Sequence, residues 1–104
     1  MIIARWHIDA RFGQKQNVID ALKTWTRNIA SEIGWTNDKV RIATGSIGAL
    51  ESTVEMDVLV QDLTELNASW NKLGSMAAHK EWSKEIEPYI VSGTPRWEIF
   101  RIVE

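Results

Sequence analysis

Ile2-Ile3-Ala4-Arg5-Trp6-His7-Ile8-Asp9-Ala10-Arg11-Phe12 alternates along its whole length. Ile2, Ala4, Trp6, Ile8, Ala10 and Phe12 form one set, and Ile3, Arg5, His7, Asp9 and Arg11 the other. A period of two with one apolar set predicts a half-buried strand over 2–12, which Gly13 ends. The same design recurs at Ser52 to Gln61, where Val54, Met56, Val58 and Val60 alternate with Thr53, Glu55, Asp57 and Leu59. Two strands of one design require a sheet with one covered face and one charged face.

Between these strands the period changes. Val18, Leu22, Trp25, Ile29 and Ile33 mark one face of a helix over 14–33, and Gly34 stands where a left-handed capping residue is expected. Trp35 to Lys39 reads as a loop, and Val40 to Ile47 as a second strand. That strand joins the third through a short connection, as in a hairpin. A second helical stretch begins at Asp62 or Thr64 and carries Leu66, Trp70, Leu73 and Ala77. Gly74-Ser75 interrupts it, and Ser75 is expected to cap a further segment from Met76 to Glu87, before Pro88. Met76, His79, Trp82 and Ile86 share a face there, and Tyr89 or Ile90 follows. Arg96 to Val103 is a last strand. The order βαββαβ over one domain, 1–104, is the ferredoxin-like α+β pattern: an antiparallel sheet with two helices on one face.

Composition narrows the function. The 104 residues carry 12 basic and 14 acidic side chains, a net charge of −2, without the basic excess usual in nucleic-acid binders. No apolar run approaches the roughly 18 residues of a membrane span, and no secretory signal opens the chain. There is no cysteine, which excludes disulfides, thiol nucleophiles and Cys-ligated metals and fits a cytoplasmic setting. Six tryptophans are many for this length and point to a core, an interface or a flat ligand's pocket. RNA-recognition domains share the βαββαβ order, but their sheet aromatics are replaced on the first and third strands by Arg, Glu and Asp. No phosphate loop and no nucleophile elbow occurs.

The uncovered sheet face would carry Arg5, His7, Asp9, Arg11, Glu55 and Asp57, with Arg41 if the second strand keeps parity. It is either a solvated face with cross-strand ion pairs or the surface on which two copies stack. Bulk on the Trp97–Ile99 side of the last strand favours stacking.

Ser69-Trp70-Asn71-Lys72-Leu73, Met76-Ala77-Ala78-His79-Lys80-Glu81-Trp82 and Ile86-Glu87-Pro88-Tyr89-Ile90 resemble the dimeric α/β-barrel superfamily. NIPSNAP-like proteins and antibiotic-biosynthesis-type monooxygenases are its nearest shapes. The resemblance implies a homodimer joined through its sheets, a dimeric α/β barrel, and a pocket between each sheet and its helices. Ala77-Ala78-His79-Lys80 with Trp70 upstream is also similar to the haem-degrading branch. This chain departs from that branch in the spacing of the Trp and in having Arg5-Trp6-His7, without an Asn, on the first strand.

Within that frame His79 is the candidate catalytic residue, as base or hydrogen-bond partner, since an imidazole titrates near neutrality. The plainer alternative is a helix histidine with one satisfied hydrogen bond. Trp70, Trp82 and Tyr89 are candidate ligand walls or rim aromatics, while Trp6 and Trp25 fall on core faces and read as structural. His7 is either a lumen residue tuned by Asp9 or a cross-strand partner of Glu55 or Asp57. Arg41 is a candidate anion contact or one half of an ion pair. Two histidines without a carboxylate partner at ligand spacing predict no metal site, and no cofactor is expected. The expected function is binding of a small hydrophobic or aromatic ligand between sheet and helices. The alternative is a cofactor-independent monooxygenase, with the haem-degrading branch behind it. Neither nucleic acid nor membrane is an expected partner.

Overall fold

In the computed structural model, which describes residues 1–104, the opening strand is shorter than its alternation predicts. β1 is Ile2–Asp9, and Ala10 keeps only an isolated bridge to Ile90. The Arg11 amide donates to the Tyr89 carbonyl at 2.9 Å, so the chain leaves the sheet there. Phe12 continues the apolar alternation in sequence but not in space, and lies fully exposed. Gly13 then turns with φ 80°, a left-handed conformation that glycine adopts without a Cβ penalty.

The remaining elements follow in the predicted order. They are α1 (Lys15–Asn28), β2 (Val40–Thr44), β3 (Thr53–Val60), α2 (Leu63–Gly74), α3 (Ala77–Ile86) and β4 (Arg96–Arg101). All strand pairs are antiparallel, and the strand order is β2-β3-β1-β4. The fold is α+β and ferredoxin-like, with three helices on one face rather than two. The four-stranded sheet of the single chain is open, not closed into a barrel.

Local chemistry explains the breaks. α1 passes at Ile29 into a 3-10 turn, Ala30–Ile33. Gly34, at φ 85°, caps it, and the Trp35 amide donates back to the Ala30 carbonyl at 2.9 Å. This reversal drops Trp35, in a segment that reads as loop, into the core at 1% exposure. Asp62 caps α2, accepting from the Glu65 amide at 2.9 Å, and the Glu65 carboxylate accepts from the Gln61 amide. Ser75 does not cap α3 as expected. Its hydroxyl donates instead to the Lys72 carbonyl at 2.7 Å, closing α2, and Met76 occupies the capping position without a side-chain bond. β2 ends at Thr44 because Gly45 passes against the hairpin, where an added Cβ would sit 1.7 Å from the Leu50 carbonyl oxygen.

Register settles the faces. Ala4, Ile8, Val54, Met56, Val58 and Val60 all turn toward the helices and are buried. Trp6 pairs with Trp97, and Ala4 with Ile99, so the Trp97–Ile99 side of β4 also faces the helices. This corrects the expectation that it bears on the uncovered face. The side chains of β4 on the open face are Arg96, Glu98 and Phe100, opposite His7, Arg5 and Ile3.

Candidate functional site: a tryptophan-lined pocket

The six tryptophans form one continuous cluster between sheet and helices. Trp6 meets Trp82, Trp82 meets Trp25, Trp25 meets Trp35, Trp35 meets Trp97 and Trp97 meets Trp70, with ring centroids 5.4–6.2 Å apart. The tilted and edge-on arrangements are those aromatic quadrupoles favour. Four of these rings, Trp6, Trp25, Trp82 and Trp97, line a cavity of about 210 Å³. Leu22 of α1 and Met56 of β3 close its floor, and α3 contributes His79, Ser83 and Ile86 along one face. His79, Trp82 and Ile86 belong to the helical stripe that the sequence displays, and Ser83 joins them beside it.

Two indole N–H groups tie α1 to α3 at this cavity. Trp82 Nε1 donates to the Ala21 carbonyl at 2.8 Å, and Trp25 Nε1 donates to His79 Nδ1 at 3.0 Å. The second bond fixes the chemistry of His79. An indole nitrogen only donates, so Nδ1 must accept and the neutral ring carries its proton on Nε2. Burial favours the neutral ring and pushes its pKa below the usual histidine value. His79 therefore presents an N–H rather than a basic lone pair. Axial ligation of haem by Nε2 would require the proton to move to Nδ1, against the Trp25 N–H. A cavity of about 210 Å³ is also smaller than the roughly 300–1,000 Å³ of sites for drug-sized ligands. The residues present do not fit haem.

The sequence-predicted site residues divide between two places. His79 and Trp82 stand in the pocket wall. Trp70 lies behind it, edge-on to Trp97 at 5.4 Å and 62°. Tyr89 lies on the outer side of Trp82, in a shallow groove with Ala21, Thr24 and Glu85. His7 and Arg41 are on the opposite face of the sheet. Trp6 and Trp25, structural in the sequence reading, are at once core residues and pocket walls. Strand parity puts Trp6, and the helical period puts Trp25, on a core face, but only the packing of α1 and α3 leaves space beside them.

The open face is a charge ladder. Across the strands run Arg41, Asp57, Arg5 and Glu98, alternating in sign. Arg5 holds Asp57 in a two-pronged contact, with Nε and a terminal nitrogen at 2.8 and 3.0 Å. That hydrogen bond, first among several contacts with acidic neighbours, raises the Arg5 pKa. The Arg5 guanidinium also lies 4.8 Å over the Phe100 ring. In the next row His7 stands 3.5 Å from both Asp9 and Glu55. His7, Glu55 and Glu98 bring donor atoms within 4.8 Å of one another, a convergence from three strands that residue spacing does not reveal. Arg5 lies 3.6 Å from Glu55, and Arg96 lies 3.4 Å from Glu98, so internal cations already offset both carboxylates. No helix is long and apolar enough to cross a membrane.

No protein-family model and no curated protein matches the sequence. Solved structures do match. A NIPSNAP family protein from Agrobacterium tumefaciens superposes with TM-score 0.81 at 16% identity, over 99% of this chain and 93% of that one. An antibiotic-biosynthesis-monooxygenase-like protein from Caulobacter crescentus gives TM-score 0.71 at 14% identity, over 99% and 90%. A dimeric protein of unknown function with a ferredoxin-like fold, from Bacteroides fragilis, gives 0.65 at 9% identity, over 97% and 96%. At such identities the likeness is one of fold, and it bears out the resemblance seen in the sequence: the chain takes the ferredoxin-like fold shared by NIPSNAP and antibiotic-biosynthesis-monooxygenase-like proteins.

Proposed function

We propose that the protein binds a small, flat, hydrophobic molecule in the tryptophan-lined pocket, as a homodimer joined through its open sheet faces. The observation that carries this reading is the cavity itself. Its wall is four indoles and several aliphatic side chains, with His79 and Ser83 as the polar interruptions. Apolar walls with a few placed polar groups are the usual form of a small-molecule site. A volume of about 210 Å³ exceeds the roughly 150 Å³ that admits benzene and suits one or two fused rings.

Dimerisation has separate support. Leu59, Ile3 and Phe100 form an apolar row beside the charge ladder. Phe100 is 42% exposed in the single chain. The Bacteroides fragilis protein of the same fold is dimeric. The protein is read as cytoplasmic on its lack of cysteine.

The test is a titration with naphthalene in water, observed through the six indole N–H signals in a nitrogen–proton correlation spectrum. Shifts confined mainly to Trp6, Trp25, Trp82 and Trp97 are expected. An unchanged spectrum at the solubility limit of naphthalene refutes pocket binding. Sedimentation equilibrium at two salt concentrations tests the dimer, and a strict monomer refutes it.

The second reading, a cofactor-independent monooxygenase acting on an aromatic compound, draws on the fold of the Caulobacter crescentus protein and on the place of His79 in the wall. In the tautomer that Trp25 imposes, His79 would serve there as a hydrogen-bond donor to substrate rather than as a base. Oxygen uptake in the presence of a bound phenol separates an enzyme from a binding protein.

A further inference from the structure

The polar groups of the pocket are biased in one direction. No carboxylate or amide side chain is among its eleven lining residues, and its indoles offer only N–H donors. The Trp25 N–H is spent on His79 and the Trp82 N–H on the Ala21 carbonyl. The Ser83 hydroxyl donates to the His79 carbonyl at 3.0 Å. The Trp6 and Trp97 N–H groups and the Nε2–H of His79 have no protein acceptor. Of these three donors, His79 is the one whose ring is held by a hydrogen bond, from Trp25 at 3.0 Å, and it lies near-parallel to the Trp82 ring, at 18°.

We infer that the pocket selects planar one- or two-ring molecules carrying an oxygen acceptor, a carbonyl or phenolate, which takes a hydrogen bond from His79 Nε2–H. This rests on the ligand-binding reading above and names its ligand class. A hydrocarbon of the same shape fills the volume but leaves the donor desolvated and unpaired, which costs binding. A ligand whose polar edge only donates meets the same N–H and is disfavoured. Trp25 acts as a positioning residue: it touches the imidazole and sets which nitrogen holds the proton.

Two measurements test this on the whole protein. Nitrogen-15 NMR of His79 in the free protein is expected to show a protonated Nε2 and an unprotonated Nδ1. The reverse tautomer overturns the inference whatever binds. Calorimetric titration then compares coumarin, a planar bicyclic lactone, with naphthalene. Wild type is expected to prefer coumarin by about tenfold, the worth of one good buried hydrogen bond. His79→Gln, whose amide nitrogen reaches the place of Nε2, keeps most of that preference. His79→Leu still binds naphthalene and loses the preference. Equal binding of the two probes by wild type overturns the donor role and leaves the pocket reading standing. Binding of neither overturns both.

Discussion

The two faces of the sheet use the same strands and opposite physics. On the covered face, Ala4, Ile8, Val54 and Val58 are fully buried, and six indoles pack edge to face above and beside them. Its cohesion is apolar area and aromatic geometry, and its polar atoms serve to fix a tautomer and tie two helices. On the open face, the order comes from alternating charge, Arg41, Asp57, Arg5 and Glu98, with one two-pronged contact at its centre. Each face therefore limits where its side chains can act. Donors on the covered face are few and mostly indole N–H groups, and His79 is the one whose free N–H is set by a hydrogen bond to the rest of its ring. Charges on the open face are many, and those at its centre are mutually paired.

The largest expected effect lies on the apolar side. Trp35→Ala removes a ring that is 1% exposed and touches Trp25 and Trp97. It is expected to cost about 3–5 kcal/mol in a denaturant titration, the range for large-to-small aromatic truncation in a core. A loss below about 1 kcal/mol would mean the cluster collapses around the gap, and that the covered face is plastic.

On the charged side Arg5→Ala is expected to cost less, about 1–2 kcal/mol. It strips the two-pronged partner from Asp57, whose side chain is only 14% exposed. An effect as large as that of Trp35→Ala would erase the energetic distinction between the faces.

Next comes pH, through His79. Burial lowers its pKa from the usual 6.5, so just below that value the unfolded chain binds a proton that the fold refuses. Stability from this group is complete above about pH 6.5 and falls as the pH drops through it toward the lower folded value. Melting temperatures of wild type and His79→Gln should run parallel above pH 6.5 and diverge below it, with wild type losing ground. Parallel curves throughout would show that the Trp25–His79 contact carries no proton linkage.

The smallest effect is expected at the rim of the ladder. Arg41 is 76% exposed and 3.7 Å from Asp57, and Arg41→Ala should change stability by less than about 0.5 kcal/mol.

Much of this architecture is legible in the chain. Period two at 2–9 and 53–60, against period 3.6 at 18–33 and 66–86, fixes element type and order, because each element must hide one face. Parity assigns Arg5, His7 and Asp57 to one side of the sheet and Trp6 and Met56 to the other. It fails on β4, where apolar residues occupy both sets and only pairing with β1 decides that Trp97 faces the helices. It fails also at Phe12 and Trp35. A polar-looking turn buried one of these large apolar residues, and a continued alternation exposed the other.

The candidate site divides in the same way. The residue pattern alone specifies an α+β βαββαβ chain, its charged and apolar strand faces, and a helix bearing His79 and Trp82 in register. Local periodicity sets those properties residue by residue. That Trp25, 54 positions from His79, donates to its Nδ1 follows only from the packing of α1 against α3. Tertiary contacts likewise set the space between Trp6, Trp25, Trp82 and Trp97, and the separation of His7 and Arg41 from that space by the thickness of the sheet. Which nitrogen holds a proton and where a void remains depend on contacts between residues distant in sequence, and no local pattern carries that information.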